Sequence, residues 1–139
     1  MRNNCFVFDT NVLLSALLNE NSNPAKAYNL ARKKGAILVS KEISDEYLDV
    51  FSRGKFEKYA PLPFKLAFIE KVINSSIPVI INTTIKECID PKDDKYLTLA
   101  VNGNAVCIIT GDNHLLERHP FRGIPILKPI DFLNEYKIT

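Results

Sequence analysis

Cysteine is scarce. Cys5, Cys88 and Cys107 are odd in number, irregular in spacing and form no CxxC pair. That excludes a zinc ribbon and a thioredoxin-type redox motif, and it fits a reduced, intracellular chain expected in the cytoplasm. Cys5 and Cys107 lie inside apolar runs and read as small buried hydrophobes. Long apolar runs are also missing. None approaches the roughly 18 residues that a membrane helix needs, so no membrane partner is expected. The apolar stretch after Arg2 stops at Asp9, too early for a signal peptide. Histidine is represented only by His114 and His119, which form no zinc-ligand pattern and read as rim or turn residues. No Gly-rich loop follows the first apolar run, which counts against a dinucleotide oxidoreductase. Repeats, low-complexity segments and interdomain linkers are absent, so residues 1–139 are expected to form one domain.

Neither sign of charge dominates: 18 Lys and Arg face 16 Asp and Glu, a net +2. If four acids cluster around a metal, the same 18 cations face 12 acids over the rest of the surface, a balance of +6. An acidic pocket in a mildly basic surround suits a polyanion.

What is present is alternation. Short apolar runs at residues 5–8, 36–39, 79–81, 105–109 and 124–127 are separated by helical patterns. The runs do not alternate polar with apolar, as expected of strands buried on both faces. Helices are expected over 12–18, from Pro24 to about residue 34, after Ser40 as N-cap, over 64–74, from the acidic turn at 90–95, around Leu115 and Leu116, and over 130–136. In the helix over 64–74, Phe64, Phe68, Ile69, Val72 and Ile73 are expected to face inward. That helix reads as an insertion between the second and third strands. The pattern predicts a three-layer α/β/α sandwich around a central parallel sheet of four to five strands.

In an open parallel sheet, ligands bind beyond the carboxyl ends of the strands. Asp9 ends the first run and Asp112 follows the fourth, while Asp93 and Asp94 begin the helix leading into the fourth. Glu46 lies one to two turns into the helix after the second run, near the same rim. Two such charges about 5 Å apart repel by roughly 3 kcal/mol at an effective dielectric of about 20. A cluster of this kind persists if it binds a cation or keeps some members protonated. Oxygen-only ligands suit Mg²⁺ or Mn²⁺.

The segments Phe6-Val7-Phe8-Asp9-Thr10-Asn11-Val12-Leu13, Ser40-Lys41-Glu42-Ile43-Ser44-Asp45-Glu46-Tyr47, Asp90-Pro91-Lys92-Asp93-Asp94-Lys95 and Ile108-Ile109-Thr110-Gly111-Asp112 resemble the PIN-domain family in order and spacing. The resemblance runs from about residue 5 to residue 135 and is strongest to the bacterial and archaeal PIN proteins regarded as toxins of toxin–antitoxin systems. It implies an α/β/α fold and a metal-dependent ribonuclease whose acids fall on Asp9, Glu46, Asp94 and Asp112. Glu42 and Asp45 are weaker stand-ins for Glu46. Asp94 is preferred to Asp93 because Leu97 follows it by three residues and Asp112 by 18, a layout similar to the family's. The resemblance also implies that Asn11 and Thr110 support the acids by hydrogen bonding. In the implied mechanism a metal-activated water attacks an RNA phosphorus. Asp9, Asp94 and Asp112 hold the ions, and Glu46 binds a second ion or orients the water. A cognate antitoxin and a homodimer are the implied partners.

Arg53, Lys55 and Lys58 lie in a stretch that mixes cations with Phe56 and Tyr59, a composition suited to a nucleic-acid backbone and its bases. Rival readings are a non-catalytic RNA- or protein-binding module and a nuclease for DNA. An aspartate-based phosphatase wants a second Asp where this chain has Asn11, and a receiver domain matches poorly at Arg2-Asn3-Asn4 and Lys128.

Overall fold

A computed structural model describes residues 4–54, 59–86 and 90–136. Its centre is β1 (Asn4–Phe8), flanked in the order β3-β2-β1-β4-β5 by β2 (Gly35–Val39), β3 (Ile77–Pro78), β4 (Cys107–Ile109) and β5 (Ile126–Leu127). Every strand pair is parallel. The chain moves outward from β1 through β2 to β3, then returns across β1 to β4 and β5. The strand order therefore reverses between β1 and β4, and a crevice opens at their carboxyl ends.

Seven α-helices cover the sheet among the described residues: α1 (Thr10–Leu18), α2 (Asn23–Lys34), α3 (Lys41–Phe51), α4 (Leu62–Asn74), α5 (Asp94–Asn102), α6 (Asn113–Leu116) and α7 (Pro129–Tyr136). Right-handed crossovers send α1 to α4 to one face and α5 to the other. Alternate residues of a strand share a face. Phe6 meets Phe132 of α7 edge-on at 5.5 Å, and Phe8 meets Tyr28 of α2 at 6.0 Å, so α2 and α7 cover the same face. On the opposite face α5 packs on β1, β2 and β4. The α/β/α layering expected from the alternation is the observed one. Close packing also fixes the β2 entrance: a Cβ on Gly35 would lie 1.8 Å from the Asn4 carbonyl oxygen, so only glycine fits this register.

The third strand lies two residues earlier than the run at 79–81 suggests. Val79 N–H donates the last ladder bond to the Val39 carbonyl at 2.8 Å, because β2 ends there and Ser40 turns the chain into α3. The Asn102 side chain then holds the departing chain, accepting from Asn82 N at 2.8 Å and Thr83 N at 3.1 Å. Ile80 is left 83% exposed. The fourth and fifth strands are also shorter than expected. Ahead of β5, Arg122 (φ 49°) and Gly123 (φ 80°) make a tight turn closed by Phe121 and Ile124.

The inserted helix starts two residues earlier than expected, at Leu62, and its buried stripe is Lys65, Ile69 and Val72. Phe64, expected inward, is 66% exposed. Lys65 is buried instead, its ammonium donating to the Arg53 carbonyl at 2.7 Å. Phe68 faces inward as expected, stacked on Phe51 at 6.0 Å.

Candidate active site

Asp9 follows β1 directly, and its position follows from its backbone role. Its N–H donates to the Ile109 carbonyl of β4 at 3.0 Å, and its side chain caps α1 by accepting from Asn11 N at 3.3 Å. Thr110, fully buried after β4, donates its hydroxyl to Asp9 Oδ2 at 2.7 Å. The same Thr110 oxygen accepts from Asp112 N at 3.0 Å. One hydroxyl thus ties the first acid to the last across the switch point. Burial is the largest influence on the Asp9 carboxyl and pushes its pKa up. The Thr110 and Asn11 bonds pull it down, the charges of Asp112 and Glu46 push it up, and the net shift is upward. Asn11 contributes its backbone N–H, while its side chain is exposed.

The acidic turn places Asp93, not Asp94, beside Asp112. Asp90 accepts from Lys92 N at 3.0 Å and caps a 3-10 turn over Pro91–Asp93 that runs into α5. Ligand atoms of Asp93, Asp112 and His114 lie within 4.8 Å of one another. Asp93 is buried, and its Oδ2 has no hydrogen-bond partner among the described residues. Burial, followed by the adjacent Asp112 carboxylate, pushes the Asp93 carboxyl up to about 6. Asp112 caps α6 by accepting from His114 N at 2.8 Å, which swings His114 Nδ1 to 3.8 Å from Asp93 Oδ2. Asp94 instead lines a separate cleft of about 1000 Å³ with Ser40, Lys41 and Lys95.

Glu46 is brought in from α3. Ser40 caps that helix, accepting from Ile43 N at 3.2 Å, and Tyr47 anchors it by donating to the Phe8 carbonyl at 2.6 Å. Glu46 Oε2 receives the Thr10 hydroxyl at 2.6 Å and also the Tyr96 hydroxyl, while Oε1 is ion-paired with Lys95. Burial pushes the Glu46 carboxyl up, but the Lys95, Thr10 and Tyr96 bonds outweigh it and hold the group below its ordinary range. Tyr47→Phe is expected to cost about 1–2 kcal/mol of stability, because the buried Phe8 carbonyl loses this donor. Urea unfolding measures this, and an unchanged midpoint would show that the bond contributes nothing.

The charges of Asp112 and Glu46 act on Asp9, and those of Asp112 and Asp9 act on Asp93, so the four acids gather at one crevice. Asp9 and Asp112 also line a smaller cleft of about 540 Å³ beside Lys128, so the acids lie between two open depressions. Glu42 and Asp45 border the larger cleft. Arg53 lies just past the end of α3, more than one helical turn beyond Glu46. Its guanidinium is paired with Asp49 at 2.9 Å. Lys55 and Lys58 lie outside the described residues, as does Cys88. His119 serves structure, its Nδ1 accepting from Ile126 N at 2.9 Å. Thr10, Lys95 and Tyr96 are members of the crevice that the sequence did not single out, and His114, expected at a rim or turn, joins them. Only the distance of two from Glu/Asp positions, Lys95 after Asp93 and His114 after Asp112, hints at them.

A parallel sheet between helical layers, with carboxylates gathered at its switch point, defines a compact α/β/α domain with an acidic catalytic-type crevice. The profile of the PIN domain matches residues 5–114, and the chain belongs to the PIN-domain family, whose members are generally nucleases. The uncharacterized protein MJ1680 of Methanocaldococcus jannaschii is 34% identical over 117 residues, covering 79% of this chain and 72% of that one. The fold is also that of VapBC2 from Rickettsia felis, solved bound to a DNA fragment from its promoter. The TM-score is 0.58 at 12% identity, over 88% of this chain and 96% of that one. PAE2754 from Pyrobaculum aerophilum superposes with a TM-score of 0.61 at 16% identity, over 94% and 88% of the two chains.

Proposed function

We propose that this chain is a divalent-metal-dependent endoribonuclease that hydrolyses RNA phosphodiesters, acting in the cytoplasm as the toxin of a toxin–antitoxin pair. The observation that carries the metal-dependent reading is Asp93 Oδ2. A buried carboxylate oxygen with no hydrogen-bond partner, pressed against a second carboxylate, is costly unless a cation meets it. The donors are mainly hard oxygens, which fit Mg²⁺ or Mn²⁺. Asp9, Asp93 and Asp112 are the residues to hold the ion, with His114 at the rim. Asp94, which borders the larger cleft, is not among them. When bound, the metal supplies a nucleophilic water at neutral pH and charge stabilisation at the phosphoryl oxygens.

The chain's own residues supply the rest. Thr110 favours the charged form of Asp9 against burial and orients it, and the cap of α6 fixes Asp112. Glu46, held by Thr10 and Tyr96, is poised to orient a water beside Asp9. The two clefts flanking the acids leave room for a strand to pass across them. RNA is taken over DNA from the resemblance of the acidic motifs to PIN-domain ribonucleases. The toxin role rests on the likeness to the VapBC2 fold, and it implies a small antitoxin covering the crevice, with a homodimer as the working assembly.

The test is incubation of the purified chain with a structured RNA and its DNA equivalent in Mg²⁺, Mn²⁺ or EDTA, beside Asp9→Asn. Metal-dependent cutting of RNA that disappears in the variant is expected. Cutting of DNA alone would move the assignment to a DNA nuclease. Folded protein that cuts neither, and binds RNA without turnover, would favour the non-catalytic module.

A further inference from the structure

We propose that Lys95 is the fixed cation of the crevice: paired with Glu46, it occupies the place of a second divalent ion and presents its charge to the phosphoryl oxygens of the substrate. This inference rests on the metal-dependent nuclease reading and concerns how many ions that site uses.

Glu46 is the member of the acidic set that already carries a lysine as its ion-pair partner. A carboxylate offers about four lone-pair sites. Thr10 and Tyr96 donate to Oε2 and Lys95 pairs with Oε1. Asp93, by contrast, presents an Oδ2 with no hydrogen-bond partner among the described residues and no lysine or arginine paired with it, His114 Nδ1 standing 3.8 Å away. The crevice thus has one end short of positive charge and one end already supplied. An ion arriving at Glu46 would have to displace the ammonium, whose side chain is only 14% exposed. Breaking such a half-buried pair, with Glu46 23% exposed, leaves a partly desolvated charge unmatched, which is unfavourable.

The pair also leaves the ammonium able to act. An ammonium carries three donors, and among the described residues Lys95 meets one carboxylate, Glu46. Lys95 borders the larger cleft, while Glu46 acts electrostatically on Asp9. The cation therefore lies between the cleft and the acids, where an entering phosphodiester would meet it. Thr10 and Tyr96 are then positioning residues: by fixing Glu46 they fix Lys95.

Two readouts test this. Metal-free protein is titrated with Mn²⁺ by calorimetry, and RNA cleavage is followed in the wild type, Lys95→Met and Lys95→Arg. The expected results are one Mn²⁺ per chain, a kcat lowered about 100-fold in Lys95→Met with a smaller change in KM, and recovery of most of kcat in Lys95→Arg. Two ions per wild-type chain would overturn the inference, and that measurement needs no variant to fold. A folded Lys95→Met with kcat within about 3-fold of wild type, or no recovery in Lys95→Arg, would overturn it too. These failures leave metal-dependent cleavage intact. A wild type that binds no Mn²⁺ and cuts no RNA would end the nuclease reading itself, and this inference with it.

Discussion

Asp93→Asn is expected to raise the stability of the metal-free protein at pH 7.5 while lowering RNA cleavage on the order of 10²–10³-fold. The two effects share one cause. Burial and the Asp112 charge push the Asp93 carboxyl up to about 6 from an ordinary 3.8. Between those values the folded chain keeps a proton that the unfolded chain has released. The folded state binds more protons, so stability falls as pH rises through this window, and the full penalty applies above it. Shared among the coupled acids and screened at the rim, it amounts to about 1–2 kcal/mol. Asparagine removes the charge and keeps the volume. Melting curves at pH 5 and pH 7.5 should therefore fall less steeply with pH in the variant, the raised Asp9 carboxyl accounting for what slope remains. Mn²⁺ should raise the wild-type melting temperature most at pH 7.5 and that of the variant little. Asp94→Asn, altering a residue that borders the larger cleft, should cleave within a few-fold of wild type. The reverse pattern, with Asp94→Asn inactive and Asp93→Asn active, would restore the assignment drawn from spacing.

That exchange shows where sequence reasoning reached its limit. Asp9 and Asp112 were legible because each ends an apolar run, and a strand's carboxyl end is fixed in space once the sheet is parallel. Glu46 was legible because a helix after a strand must begin at the same edge. Asp93 and Asp94 differ by one residue inside a segment whose geometry changes. The 3-10 turn ends at Asp93 and α5 begins at Asp94, so a layout counted from Leu97 and Asp112 does not report which of the two neighbours the turn sets beside Asp112. Nothing in composition announces that Asp90 caps a turn and not a helix.

The edge of the sheet was misread for a related reason. Val79, Ile80 and Ile81 have strand composition, but ladder bonds require a partner, and β2 stops at Val39. The central strands, buried on both faces, carried a signal strong enough to survive; the outer strand of two residues did not. The Glu46–Lys95 pair and the Tyr96 hydroxyl depend on α3 and α5 meeting across the end of β1, a distance of about 50 residues in sequence. No local pattern encodes that contact.

Thr110→Val should cost about 1–3 kcal/mol of stability and lower cleavage at pH 7 by roughly 10–100-fold. Valine matches threonine in shape, so packing around this fully buried residue is kept. What is lost is one donor and one acceptor: the bond to Asp9 Oδ2 and the acceptor for Asp112 N. The first favours the charged form of Asp9 against burial, so its removal raises that carboxyl further. Protonation of Asp9 would then limit the loss of stability, because a neutral acid is cheaper to bury, but a protonated acid cannot serve a cation. The acid limb of the cleavage profile should consequently move to higher pH, and raising the pH should recover part of the activity. Thr110→Ser keeps the hydroxyl and should return the limb to its wild-type position, with a small stability loss from the missing methyl. A Thr110→Val enzyme whose acid limb stays in place would mean that Thr110 positions the loop alone and has no hold on the charge of Asp9.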